Sequence, residues 1–301
     1  MLKGLAITPP VIGRISIGRV VERNGKRLPE KDDQFTLTSQ VQNRDGWVLH
    51  PLDEALRKDG GEKSKLRSIP VRVLFNDPAL NLRADYSLFD RTTGRPVCVG
   101  NGETSRRIGV DGVGAQSCVG PDTCAFANGE CKAYARFNVV VGDGDDDALG
   151  SFVLRTTSIN TIRTIAARLQ YFNAVSGRRL ACLPLELKLR GKSTTMSHRA
   201  AIYYVDLVVR SGVTLEQAIG KAREQDALRK SCGFDQEALD EAAHKGFANG
   251  AFEDLEEDVA AVVDEFYSDA ATEPADMGGP KEVPVSLRGR LENKVARMGG
   301  L

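Results

Sequence analysis

Apolar and polar residues alternate over part of residues 11–21, in the run Val11-Ile12-Gly13-Arg14-Ile15-Ser16-Ile17-Gly18-Arg19-Val20-Val21, and the turn-forming pair Asn24-Gly25 follows. Alternation with period 2 ending at Asn-Gly predicts a strand entering a tight reversal. Residues 35–38 and 69–75 carry the same signal more briefly. Residues 152–157 predict a strand that stops at Ser158, a residue suited to capping a helix. Beyond it Ile162, Ile165, Ala166, Leu169 and Phe172 recur at helical spacing, with Arg163 and Arg168 on the outer side and Gly177 as the stop. Residues 183–189 alternate as a strand does, and the β-branched run 201–209 is expected to pair with it. This is an α+β pattern.

After Arg210 the pattern turns helical. Thr214 and Gln217 form a capping box for a helix to about Lys230, and Asp235 caps a second helix to about Lys245. Residues 252–267 predict a third, acidic helix with Leu255, Val259, Val262, Val263 and Phe266 on one face. Residues 268–285 hold prolines and glycines without periodicity and read as a flexible linker; 286–298 suit a short basic amphipathic helix. Residues 60–65 read as an exposed loop. The acidic stretch at Asp143 is no calcium loop, because its twelfth position is Leu154 where a bidentate glutamate is needed. The expected organisation is an α+β, strand-rich domain over 1–210 containing a cysteine-bound zinc loop module at about 94–136, a helical extension over 211–267, and a flexible acidic tail over 268–301.

Composition narrows the class. A content of 41% hydrophobic and 27% charged residues is that of an ordinary globular chain. No stretch approaches the roughly 20 consecutive apolar residues of a membrane helix. The first ten residues, broken by Pro9-Pro10, do not read as a signal peptide, so a soluble, cytoplasmic protein without membrane contact is expected. Net charge is zero but unevenly placed: residues 151–230 hold fourteen Lys/Arg against five Asp/Glu, and residues 253–276 hold ten acidic residues and no basic one. A basic body with an acidic appendage suits contact with nucleic acid, and equally a solvated surface whose charges segregate.

The cysteines carry the most specific chemistry. Cys98, Cys118, Cys124 and Cys131 lie within 34 residues, among glycines at 94, 100, 109, 112, 114, 120 and 129 and prolines at 96 and 121. Four thiolates can replace the water shell of zinc, and turn-forming glycines let the chain converge on it. The gaps of five and six residues are looser than a Cys-x2-Cys knuckle, and four separate buried thiols are the alternative. Cys182 reads as core and Cys232 as a helix end.

Little supports catalysis. His50, His198 and His244 form no metal-binding or base motif, and a four-cysteine shell leaves no open position for hydrolysis. The glycines at 109–114 lack the Gly-Lys-Ser/Thr of a phosphate loop. For nucleic acid or a partner, the candidate set is Arg106, Arg107, Arg155, Arg163, Arg168, Arg178, Arg179, Lys188, Arg190, Lys192 and Arg199. Tyr134, Phe137, Tyr171, Tyr203 and Tyr204 offer stacking, although aromatics in strands are more often core. No helix-turn-helix or finger signature points to base-sequence recognition.

The segments 1–5, 118–124 with Cys131-Lys132, 152–158 and 177–187 together resemble the recombination directionality factor-like proteins of phages, plasmids and integrative elements. The resemblance spans about residues 1–210. It implies a non-enzymatic accessory protein that binds a large serine integrase and biases it towards excision. Two other readings stay open: a DNA-binding protein of replication, repair or annealing, and a metal-dependent hydrolase, since relatives often carry metal-binding or hydrolase-like labels.

Overall fold

A computed structural model describes residues 10–23, 26–43, 46–59, 65–142, 150–193 and 201–247, together with 263, 266 and 267. The chain opens with strands β1 (Val11–Arg23), β2 (Lys26–Asn43) and β3 (Gly46–Leu49), then helix α1 (Pro51–Asp59) and strand β4 (Ser68–Arg72). A short helix α2 (Pro78–Asn81) leads into β5 (Leu82–Phe89), β6 (Pro96–Gly100), β7 (Thr104–Gly109) and β8 (Gly112–Ser117). Next come β9 (Lys132–Val141), β10 (Ser151–Thr156), α3 (Ile159–Val175), β11 (Leu185–Lys192) and β12 (Ile202–Val209). Helices α4 (Leu215–Ser231) and α5 (Gln236–Phe247) follow.

Nine strands lie side by side in the order β3-β2-β1-β10-β9-β5-β6-β7-β8. β1 runs parallel to β10 and the other pairs are antiparallel. β9 joins two sheets. Its first part, from Lys132 to Phe137, pairs with β5, while Val140 and Val141 pair with β4, which continues through β11 to β12.

The register builds the core. Leu37, Ile15, Leu154, Phe137 and Leu82 stand in one row across β2, β1, β10, β9 and β5, each at most 8% exposed. Beneath them α3 contributes Ile162, Ile165, Leu169 and Phe172, the helical-spacing set; Ala166 is half-buried against the same core. Ser158 caps α3 by accepting from the Thr161 N–H, and Gly177 leaves it at a φ of 63°. Thr214 and Gln217 exchange both bonds of the predicted capping box at α4, and Asp235 accepts from the Ala238 N–H at α5. β11 and β12 pair as expected, from Leu185 opposite Val209 to Lys192 opposite Ile202.

Three expectations need correction. The spacing predicts a glycine-rich loop module over 94–136, but residues 96–117 include three paired strands, β6 to β8. Gly94 and Gly102, both with positive φ, sit at turns between strands, and Gly112, also with positive φ, opens β8. The strand at 69–75 ends at Arg72, because Asn81 Oδ1 accepts from the Leu74 and Phe75 N–H groups and draws them out of the ladder. The strand at 183–189 starts at Leu185 after a 3-10 turn at Leu180–Cys182. Asn24-Gly25, residues 60–64, the acidic stretch after Gly142, Arg199 and His198, and the segments from 268 onwards lie outside the described residues. Of the third helix, residues 263, 266 and 267 are described, and they are helical.

Candidate functional site

Topology places the four clustered cysteines along one path across the sheet. β8 is the sheet's edge and β9 lies four strand positions inward, about 19 Å away at ordinary strand spacing. The connection from Cys118 to Cys131 must cross β7, β6 and β5, and Cys98 lies on β6 along that path. Cys118 starts the crossing, its N–H donating to Glu103 O at 2.8 Å. A methyl group on Gly100 would stand 2.9 Å from Cys118 Sγ, so the thiol rests on the strand that carries Cys98, two residues away. Phe126, inside the crossing, stacks on the Arg107 guanidinium at 3.9 Å, and Arg107 lies directly opposite Cys98. All four cysteines are half-buried. Burial pushes the Cys131 thiol up to about 11, with further contributions from Cys98, Cys124 and Cys118. Thiolate donors suit zinc. Among the described residues, however, no three His, Cys, Asp or Glu donors are close enough to hold a metal ion. Coordination would require the 118–131 crossing to close further onto β6. Cys182 is buried and receives an Arg229 contact at 3.7 Å, and Cys232 is exposed at the end of α4, as the sequence suggested.

The basic candidates do not form one surface. Arg168 and Arg190 both bind the buried carboxylate of Asp206, at 3.0 and 3.2 Å. Arg179 pairs with Asp226, Lys188 with Glu186, and Lys192 Nζ donates to Asn160 Oδ1. Arg107 is taken by Phe126, while Arg106, Arg163 and Arg178 are exposed. Arg155 belongs to a set the sequence reading missed: Arg83, Arg136 and Arg155 stand directly opposite one another on β5, β9 and β10. Nothing local marks this row, since Arg83 and Arg136 are separated by more than fifty residues. Of the aromatic candidates, Tyr134 and Phe137 are buried and Tyr171 is exposed.

The described histidines are engaged elsewhere. His50 Nδ1 accepts from the Leu52 N–H at 3.2 Å, its ring edge lies on Phe152, and burial pushes its pKa down. His244 Nε2 is 2.8 Å from Asp77 Oδ2, where α5 docks on the corner after β4. At this corner Asp240 Oδ2 accepts from the Asn76 and Asp77 N–H groups and Gln236 Nε2 donates to Leu74 O.

A family model described as Gp3-like, recombination directionality factor-like, matches residues 12–210. The chain belongs to this recombination directionality factor-like family. The match spans β1 to β12 with α1 to α3, and so covers the cysteine crossing and the arginine row; α4 and α5 lie beyond it. Neither the curated proteins nor the solved structures yield a match. Membership places the chain among proteins of DNA recombination. Among the described residues, no helix is long and apolar enough to cross a membrane.

Proposed function

We propose that this chain is an accessory protein of mobile-element recombination that binds a large serine integrase and biases it towards excision. The family match over residues 12–210 carries the reading. A directionality switch needs only different affinity for two recombinase states, so the chain itself makes and breaks no bond. The β7–β8 hairpin suits a protein partner. All six residues of β8 are exposed and none is charged, leaving a sheet edge open to pairing. Ile108, Val110, Val113, Val119 and Phe126 are exposed on this hairpin and the crossing beside it.

A structural zinc ion at Cys98, Cys118, Cys124 and Cys131 belongs to the same proposal, supported by the placing of all four thiols along the crossing from β8 to β9. Direct DNA contact is the second reading, favoured by the arginine row on β5, β9 and β10.

The test mixes the purified protein with the integrase encoded beside its gene, on attachment-site substrates. Co-elution with the integrase and a shift of products from integration to excision are expected. Val110→Asp combined with Val113→Asp should weaken binding about tenfold or more, a loss of about 1.4 kcal/mol. Absence of co-elution together with an unchanged product ratio overturns the reading; salt-sensitive DNA binding without the integrase would favour the second one.

A further inference from the structure

Four of the basic candidates share the outer face of one hairpin, β11–β12. Leu185 and Leu187 on β11, with Val205 and Leu207 on β12, face the core, so alternation turns Lys188, Arg190 and Lys192 away from it. Arg168 of α3 reaches the same face, because it binds Asp206, which stands directly opposite Lys188. Together α3, β11 and β12 hold five basic residues and two acidic ones. Both acids, Glu186 and Asp206, are 4% exposed, whereas the side chains of Arg168, Lys188 and Arg190 are 41–43% exposed. Negative charge lies inside and positive charge outside.

These contacts hold the cations but do not cancel them all. Glu186 accepts from the Ser211 N–H and hydroxyl and lies 3.7 Å from Lys188 Nζ. Asp206 accepts from Nε and Nη2 of Arg168, at 3.0 and 3.4 Å, and from Nε of Arg190 at 3.2 Å. Arg168 Nη1 and both Nη groups of Arg190 lie outside this bridge. Lys192 Nζ donates to the neutral Asn160 Oδ1 at 2.7 Å and stands 5.9 Å from the Tyr204 ring centroid. Arg168, Arg190 and Lys192 therefore set three positive charges against the one carboxylate of Asp206. Side chains already held in place lose less entropy when a ligand orders them.

We propose that Arg168, Arg190 and Lys192 form a contact for the phosphate backbone of DNA. A guanidinium fork matches two phosphate oxygens at once, and the outward Nη groups present such forks. Residues two apart on a strand stand about 7 Å apart, so the line from Lys188 to Lys192 spans about 14 Å. Duplex DNA carries one charge about every 1.7 Å of its axis, and a line that long meets several phosphates. The contact lies within the family match. It rests on the DNA-contact reading, and adds a place on β11 and α3 to the arginine row on β5, β9 and β10; the integrase reading does not enter it.

The probe is a short DNA duplex of arbitrary sequence, bound by the full-length chain over a range of salt concentrations without integrase. Arg190→Gln combined with Lys192→Gln should weaken binding about tenfold or more and make the log–log salt slope shallower by about two units. Arg168 is kept, so Asp206 retains a cation and the urea midpoint of this variant should stay close to that of the native chain. Lys221→Gln combined with Arg223→Gln, both exposed on α4, removes the same charge and should leave the slope nearly unchanged. Equal losses in the two double variants overturn the proposal, because net charge alone would give that result. DNA binding with a slope untouched by Arg190→Gln and Lys192→Gln overturns it too, and leaves the DNA-contact reading standing without this site. A native chain that does not bind the duplex overturns both. Loss of integrase co-elution in the same variant would then assign the face to an acidic protein surface.

Discussion

Asn81 is hydrogen-bonded to Phe75 in both directions: Phe75 N–H donates to Asn81 Oδ1 at 3.1 Å, and Asn81 Nδ2 donates to Phe75 O at 2.8 Å. The same side chain accepts from the Leu74 N–H and donates to Asp77 O, and it is 1% exposed. Asn81 thus closes the corner between β4 and β5 and leaves none of its own polar atoms unsatisfied.

Asn81→Leu should strand several backbone groups in a dry corner. A loss of about 3–4 kcal/mol is expected, read as a lower urea midpoint with an unchanged slope. A shift below about 1 kcal/mol would show that water replaces these bonds.

Asp206 is 4% exposed and holds Arg168 and Arg190 together. Removing a buried carboxylate leaves its cations poorly compensated, but both arginine side chains are 43% exposed, which moderates the cost. Asp206→Ala should lose about 2 kcal/mol and Arg168→Ala about 1 kcal/mol in urea unfolding. Equal losses would mean that Arg190 contributes nothing to the pair.

The His50 pKa is pushed down by burial, and its Nδ1 accepts from the Leu52 N–H at the start of α1. The unfolded chain therefore takes up a proton at higher pH than the folded one, near 6.5. Stability from the neutral ring is full above that value and is lost as pH falls below it. The urea midpoint should drop as pH falls below about 6.5. His50→Asn retains a side-chain acceptor without titrating and should flatten that drop; an identical pH profile in the variant would exclude His50 as its source.

Zinc at the thiols makes a prediction for Gly100 as well as for the cysteines. Native protein should bind about one zinc ion per chain, and Cys124→Ser should retain much less. On Gly100→Ala the new methyl would stand 2.9 Å from both Cys118 Sγ and Thr104 O. That variant should lose about 1–3 kcal/mol and weaken zinc retention, because one contact is backbone and cannot move alone. Full zinc occupancy in Cys124→Ser would remove the four-cysteine site.

The legible parts of this fold are those written in neighbouring residues. Ser158, Gly177 and the Thr214 and Gln217 box mark helix ends through contacts three or four residues apart, and α3 follows from one apolar stripe. β9 is harder to read: Val139, Val140 and Val141 are all buried where it passes from one sheet to the other, so alternation fails. β7 and β8 are largely exposed and poor in aliphatic residues, so they resemble loop. The cysteine cluster was visible as a spacing. The arginine row was not, because no residue near Arg83 signals that Arg136 will stand opposite it.

The sequence by itself determined the α+β character, the helix caps, the β11–β12 pair and the grouping of four cysteines in one stretch. Tertiary structure decided that this stretch is a β-meander crossed by a return loop, and that Asp206 gathers two of the predicted surface arginines. It also set Arg83, Arg136 and Arg155 abreast on one face. The division has a physical cause. Caps and amphipathic stripes depend on contacts within a turn or two, whereas strand register follows from burying one shared face across distant segments. Once Leu37, Ile15, Leu154, Phe137 and Leu82 align in the core, alternation places the three arginines on the opposite face.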